Sequence, residues 1–202
     1  MKNTQTTKII RYVTGLTAMA LALVLIHRHH ANVFILTASC YLFLICATDT
    51  LYSKVPNILT LALILTGLLS NLVTSGLPGI ALSLSGFATG LLLLLIPFLL
   101  GGMGAGDVKA LAAMGALLGP GKTFQIFLYM GLIGGLLGLL FHLTNPDTRV
   151  QLSHYISSLK NAYLTRDLKS FSRPVHRTSN RFPYATAIAF GFFAQTFWGS
   201  LW

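Results

Sequence analysis

A chain of 202 residues that is 54% hydrophobic and 9% charged cannot cover a water-facing surface, and its apolar content excludes disorder. Lys and Arg outnumber the acids 14 to 4, a net charge of +10. Nucleic-acid binding is one reading of such a balance, but here the basic residues lie between long apolar runs, the pattern of a polytopic membrane protein.

A membrane-spanning helix needs roughly 20 mostly apolar residues. In chain order, residues 9–26 predict a first helix, with Arg11 near enough to its end to reach the headgroups. The same stretch has the basic start and apolar run of a cleaved signal peptide, and both readings stay open. Residues 31–48 predict the second helix. Its Cys40 and Cys46 lie roughly 600° apart around the helix, so they point to different faces and cannot form a disulfide. Residues 58–75 and 82–100 predict two more helices, separated by a turn at Gly76, Pro78 and Gly79. Residues 107–119 form a short fifth element, closed by Gly119-Pro120-Gly121. Residues 123–143 and 184–201 complete an expected all-α polytopic bundle of about seven transmembrane helices. We read residues 1–202 as a single membrane-embedded domain, with 144–182 as a basic loop within it.

With the N-terminus in the cytoplasm, twelve of the fourteen Lys and Arg residues fall on the cytoplasmic side. The reverse orientation inverts the ratio, so the positive-inside rule selects the first, and the basic loop comes to lie near anionic lipid. All four acids are aspartates. Asp147 and Asp167 belong to the polar loop, whereas Asp49 falls at the cytoplasmic end of the second helix and Asp107 at the cytoplasmic start of the fifth. Ionisable groups at membrane depth are costly and mark function by default.

Asp107 follows a run with four glycines in Gly101-Gly102-Met103-Gly104-Ala105-Gly106, and Lys109 comes two residues later. Glycines let another backbone approach closely. Asp107 also reads as the N-cap of the helix it opens. The run lacks the GxxxxGK[ST] pattern of a phosphate loop, and an aspartate at the mouth would repel phosphate. Asp49 precedes Lys54-Val55-Pro56-Asn57, where Pro56 or Asn57 starts the next helix. An interfacial Asp49 paired with Lys54 is the simpler reading of that residue alone. Two carboxylates close together in a partly dry site cannot both ionise easily. Such a pair can hold a water, the charged member taking its proton and the protonated member supporting the oxyanion and the leaving amine. No GxSxG or HExxH is present, and two cysteines buried mid-helix would be poor nucleophiles.

The run Gly104-Ala105-Gly106-Asp107-Val108-Lys109 resembles the GxGD signature of type IV prepilin peptidases. Asp49, seven positions before Pro56-Asn57, resembles that family's first aspartate motif, and Phe182-Pro183-Tyr184-Ala185 with Ala187-Ile188-Ala189 and Gly191 is similar to the last helix of its tight-adherence (Tad/Cpa) branch. The resemblance covers roughly residues 41–202. It implies an aspartyl endopeptidase, a hydrolase of the bacterial inner membrane, that cuts the basic leader from prepilins or pseudopilins at the cytoplasmic face. Asp49 and Asp107 would be catalytic. Gly104, Gly106 and Lys109 would form the active-site loop, with Lys54, Pro56 and Asn57 as motif support. The substrate helix would lie in the bilayer, with pilus-assembly or secretion machinery as further partners, and without nucleic acid, metal or cofactor. Bifunctional members carry paired CxxC motifs and also N-methylate the new terminus. No CxxC occurs here, so methyl transfer is not expected, and residues 1–30 form a helix additional to the six-helix core.

Two other readings fit the same acids: a small ion-coupled transporter, and a non-catalytic assembly subunit of the same fold. Transport predicts internal repeats and access from both faces, whereas no repeat is evident and both aspartates share one side. Four further features have readings of their own. His27-Arg28-His29-His30 is a polar helix end rather than a metal site. Gly131, Gly134, Gly135 and Gly138 suggest small-residue helix packing. Phe192, Phe193, Phe197, Trp198 and Trp202 suggest an interface belt. Residues 153–180 are a solvated basic segment.

Overall fold

The computed structural model describes residues 2–28, 32–52, 54–99, 103–144 and 184–199. These form seven α-helices: α1 (Lys2–Arg28), α2 (Val33–Tyr52), α3 (Asn57–Ser75), α4 (Leu77–Leu99), α5 (Ala105–Leu118), α6 (Pro120–Thr144) and α7 (Tyr184–Trp198). Four of them (α1 over Ile9–Arg28, α2, α3 and α4) are long and apolar enough to cross a membrane. The expected all-α polytopic bundle is the observed architecture.

Helix ends follow local chemistry. Asn32 caps α2, its Oδ1 accepting the Ile35 N–H at 3.2 Å. Pro56 sits just before α3 with φ −64° and ψ 132°. Gly76, at φ 65°, ends α3, and Gly119, at φ 81°, ends α5. Both conformations suit glycine. Pro120 then opens α6, where its missing N–H costs nothing. The turn between α3 and α4 is Gly76 alone. Pro78 and Gly79 lie inside the first turn of α4, which tolerates proline, so α4 starts five residues before the expected position.

The bundle is sided for lipid. On α3, Ile58, Leu61, Leu65, Leu69 and Leu72 face outward, while Thr60, Leu63, Gly67 and Asn71 are buried. Small and polar groups inside with aliphatics outside is the membrane arrangement. At the centre is α5. Its 14 residues span roughly 21 Å, short of the roughly 30 Å hydrocarbon layer. Val108 and every residue from Ala110 to Leu117 are buried. It packs against α3 and α4, while α6 packs with α7 and α1 with α2.

A helix that ends inside the bundle leaves carbonyls without water. Asn71 of α3 meets this need. Its Nδ2 shares its two N–H donors among four nearby acceptors: the Ala116 and Leu117 carbonyls at 3.2 Å each, Gly67 O at 3.0 Å and Ser83 Oγ of α4 at 2.9 Å. Asn71→Leu keeps the volume and strands these acceptors. We expect a loss of about 1–3 kcal/mol, read as a lower thermal unfolding midpoint in detergent.

Several expectations about faces are revised. Cys46 is buried but Cys40 is exposed, so they do point to different faces, yet only one is inside. Phe192 and Phe193 are core residues, 1% and 3% exposed, and only Phe197 and Trp198 face outward. Phe197 lies only about 40° around the helix from Phe193, but it and Trp198 fall in the last turn of α7, so position along the helix separates inner from outer aromatics. In α6, Gly134 lies against Ala187, whereas Gly131 and Gly135 face open space. His29, His30, Trp202, the surroundings of Gly138 and nearly all of the expected basic loop 144–182 lie outside what the structure describes.

Candidate active site

The start of α5 is built by glycine and aspartate together. Gly104, extended at φ −83° and ψ 149°, takes the N-cap position. Asp107 is the third residue after it and reaches back, its Oδ2 accepting the Gly104 N–H at 3.2 Å. The expected N-cap role for Asp107 is thus corrected. A residue at this third position closes the turn from the other side, and its charge is favourable at a helix N-terminus. Asp107 is half-buried, as is Gly106, while Lys109 is exposed.

Asp49 is half-buried three residues before the end of α2. Its Oδ2 is buried and accepts no hydrogen bond among the described residues. Asp49 is set in a largely desolvated position with Arg11 on α1 close enough to act on it electrostatically, and Lys54, the partner expected from sequence, is exposed. Arg11 is half-buried, and its Nε is buried.

The segment after α2 then meets the start of α5. Gly106 is pressed against Val55 so closely that a Cβ there would lie 3.1 Å from Val55 Cβ. Lys109 Nζ donates to Asn57 Oδ1 at 3.2 Å. Residues 54–57 and 104–109, about a quarter of the chain apart in sequence, therefore share one end of the bundle. The helices that carry Asp49 and Asp107 also touch. The N-terminus of α7 joins them, since Cys46 Sγ lies 3.9 Å from the Ala185 carbonyl. A cleft of about 570 Å³ opens beside this cluster, lined by Thr48, Tyr52, Lys54, Val55, Pro56 and Asn57.

Residues 35–139 match the type IV leader peptidase family, just over half of the chain. The chain belongs to that family. The matched segment runs from the first turn of α2 into α6 and contains Asp49, residues 54–57 and residues 104–109. It leaves α1 and α7 outside. No curated protein and no solved structure matches the chain. Membership of the leader peptidase family makes the chain a peptidase, and its apolar helices make it a multi-pass membrane protein.

Two residues carry more of this geometry than their place in the sequence suggested. From sequence alone Arg11 is only a helix-end cation. Asn71 carries no motif, yet a lone carboxamide in the apolar run 58–75 is the kind of polar group that needs a partner in a membrane.

Proposed function

We propose that the chain is an aspartyl endopeptidase of the cytoplasmic membrane that removes the basic leader from prepilins or pseudopilins, with Asp49 and Asp107 as the catalytic pair. The observation that carries this reading is the convergence of the two aspartate-bearing motifs, with Val55 against Gly106 and Asn57 hydrogen-bonded to Lys109. One carboxylate takes a proton from a water as its oxygen bonds to the scissile carbonyl carbon. The other, protonated, supports the oxyanion and then protonates the amine as the C–N bond breaks. Twelve of fourteen cationic side chains on one side support a cytoplasmic N-terminus and a site at the cytoplasmic face. We read the activity as proteolysis without methyl transfer, because no CxxC pair occurs in the sequence, and the branch as the tight-adherence one.

The test is co-expression in bacterial membranes with precursors that carry a basic leader before an apolar helix, read by substrate mass. Wild type should release the leader, and Asp49→Asn and Asp107→Asn should not. Cleavage persisting in either variant would remove the dyad. Gly106→Ala gives a graded version of the same test. Its added carbon forces Val55 aside by a few tenths of an ångström and shifts residues 54–57 against α5. Since small misplacements of reacting groups cost up to about 10²-fold, we expect a loss of about tenfold in cleavage rate, with normal amounts of protein in the membrane.

A further inference from the structure

An acid at membrane depth needs something to offset its burial, and here that group comes from outside the family segment. Helices α1 and α2 pack against each other, and the few residues between Arg28 and Val33 make them antiparallel neighbours. They approach each other tightly at Gly15, where a Cβ would overlap the Thr50 side chain. Arg11 lies one turn before Gly15. On an antiparallel helix that step runs toward the C-terminal end of α2, where Asp49 sits beside Thr50. Two polar atoms of α2, Asp49 Oδ2 and Thr50 Oγ1, are buried there without a hydrogen-bond partner among the described residues. Gly15 is what allows the approach, since any larger side chain would hold the two helices apart at the level of the acid.

We propose that Arg11 is a positioning residue for Asp49, supplying its counter-charge and fixing its orientation across the α1–α2 interface. This rests on the reading of Asp49 as catalytic. A cation beside a partly buried carboxylate offsets the cost of burying it and limits the directions in which its oxygens can point. The helix that appears additional to the peptidase core would thus complete the site rather than merely anchor it. In this chain the leader peptidase segment would be incomplete without α1.

The experiment uses the full chain in membranes with the leader-bearing precursors and four variants: Arg11→Gln, Arg11→Lys, Asp49→Asn and the double variant Arg11→Gln/Asp49→Asn. Arg11→Gln should lower kcat by about 10- to 100-fold, the range for losing a charge-assisted interaction, with KM changed less than about threefold. Arg11→Lys should recover most of the rate. In detergent, Arg11→Gln should lower the thermal midpoint by about 3 °C or more in the wild-type background, and have no such effect in Asp49→Asn, because the partner is already gone. This second measurement needs no substrate and decides the pairing even where Arg11→Gln inserts poorly. Wild-type kcat in Arg11→Gln with Asp49→Asn inactive would overturn the proposal while leaving the dyad intact. Equal thermal losses in both backgrounds, or no recovery with lysine, would also overturn it. Full cleavage by Asp49→Asn would instead sink the catalytic reading on which it stands.

Discussion

Asp49→Asn and Asp107→Asn should each reduce leader cleavage by at least about 10³-fold while both proteins remain in the membrane at near wild-type amounts. The size follows from the chemistry. A carboxamide neither takes a proton from water nor gives one to the leaving amine, so both steps lose general acid–base catalysis and its electrostatic support. Retention of the fold follows from the local contacts. In Asp107→Asn the remaining carbonyl oxygen can still accept the Gly104 N–H, so the first turn of α5 keeps its closure. At Asp49 the buried Oδ2 makes no hydrogen bond among the described residues. Its replacement therefore removes a costly buried charge along with the attraction to Arg11, and the two roughly offset. Activity lost without stability lost separates a working acid from a structural one. Quantitative blotting of the membrane fraction alongside substrate mass reads both quantities from one preparation. A variant that disappears from the membrane would show that its aspartate holds the fold.

How much of this was legible in the sequence depends on the kind of feature. The helices were, because a run of apolar residues long enough to span lipid has few alternatives. Their ends were less so. Helix α6 starts at Pro120 rather than near residue 123, and α4 at Leu77 rather than near residue 82, because a first turn accepts proline, glycine or lysine that a hydropathy reading assigns to a loop. The pairing of residues 54–57 with 104–109 was accessible through the two motifs. Which face of a helix a residue occupies was much harder to read. Phe193 and Phe197 lie one turn apart on nearly the same face yet differ in burial, because Phe197 lies in the last turn of α7, and how far packing reaches along a helix is set by its partners. The same limit hid Arg11. Nothing in the sequence near Asp49 points to a residue 38 positions earlier, and the proposed pairing depends on Gly15, which lets α1 approach α2 at Thr50.

Gly86→Leu and Gly115→Leu should be the most damaging substitutions to stability. A Cβ at Gly86 would fall on the Gly115 carbonyl oxygen, and one at Gly115 would fall on the Gly86 carbonyl oxygen. Each glycine is thus closed by the other's backbone, which cannot swing aside as a side chain can. Gly67 and Gly90 meet the α5 backbone in the same way: a Cβ added there would lie 2.8 Å from the Ala116 carbonyl and 2.6 Å from the Leu111 carbonyl oxygen. So α5 is held between α3 and α4 by direct backbone contact, and a leucine at either position must push the helices apart. Overpacking usually costs about 1–3 kcal/mol. Here separation would also pull the Ala116 and Leu117 carbonyls from Asn71, so a total above about 4 kcal/mol is expected. That is a large share of the 5–15 kcal/mol typical of a folded domain, and little protein should accumulate in the membrane. Gly131→Ala and Gly135→Ala provide the contrast within the same chain. Nothing lies within 4 Å of a Cβ at either site, and removing a helical glycine there should leave stability unchanged or raise it by about 0.5–1 kcal/mol. Thermal unfolding in detergent orders the four variants. Tolerance of leucine at position 86 or 115 would show that α4 and α5 are not in backbone contact. Because Asp107 is carried on the first turn of α5, cleavage should fall together with stability in these two variants, and that coupling distinguishes loss of the scaffold from loss of the acid.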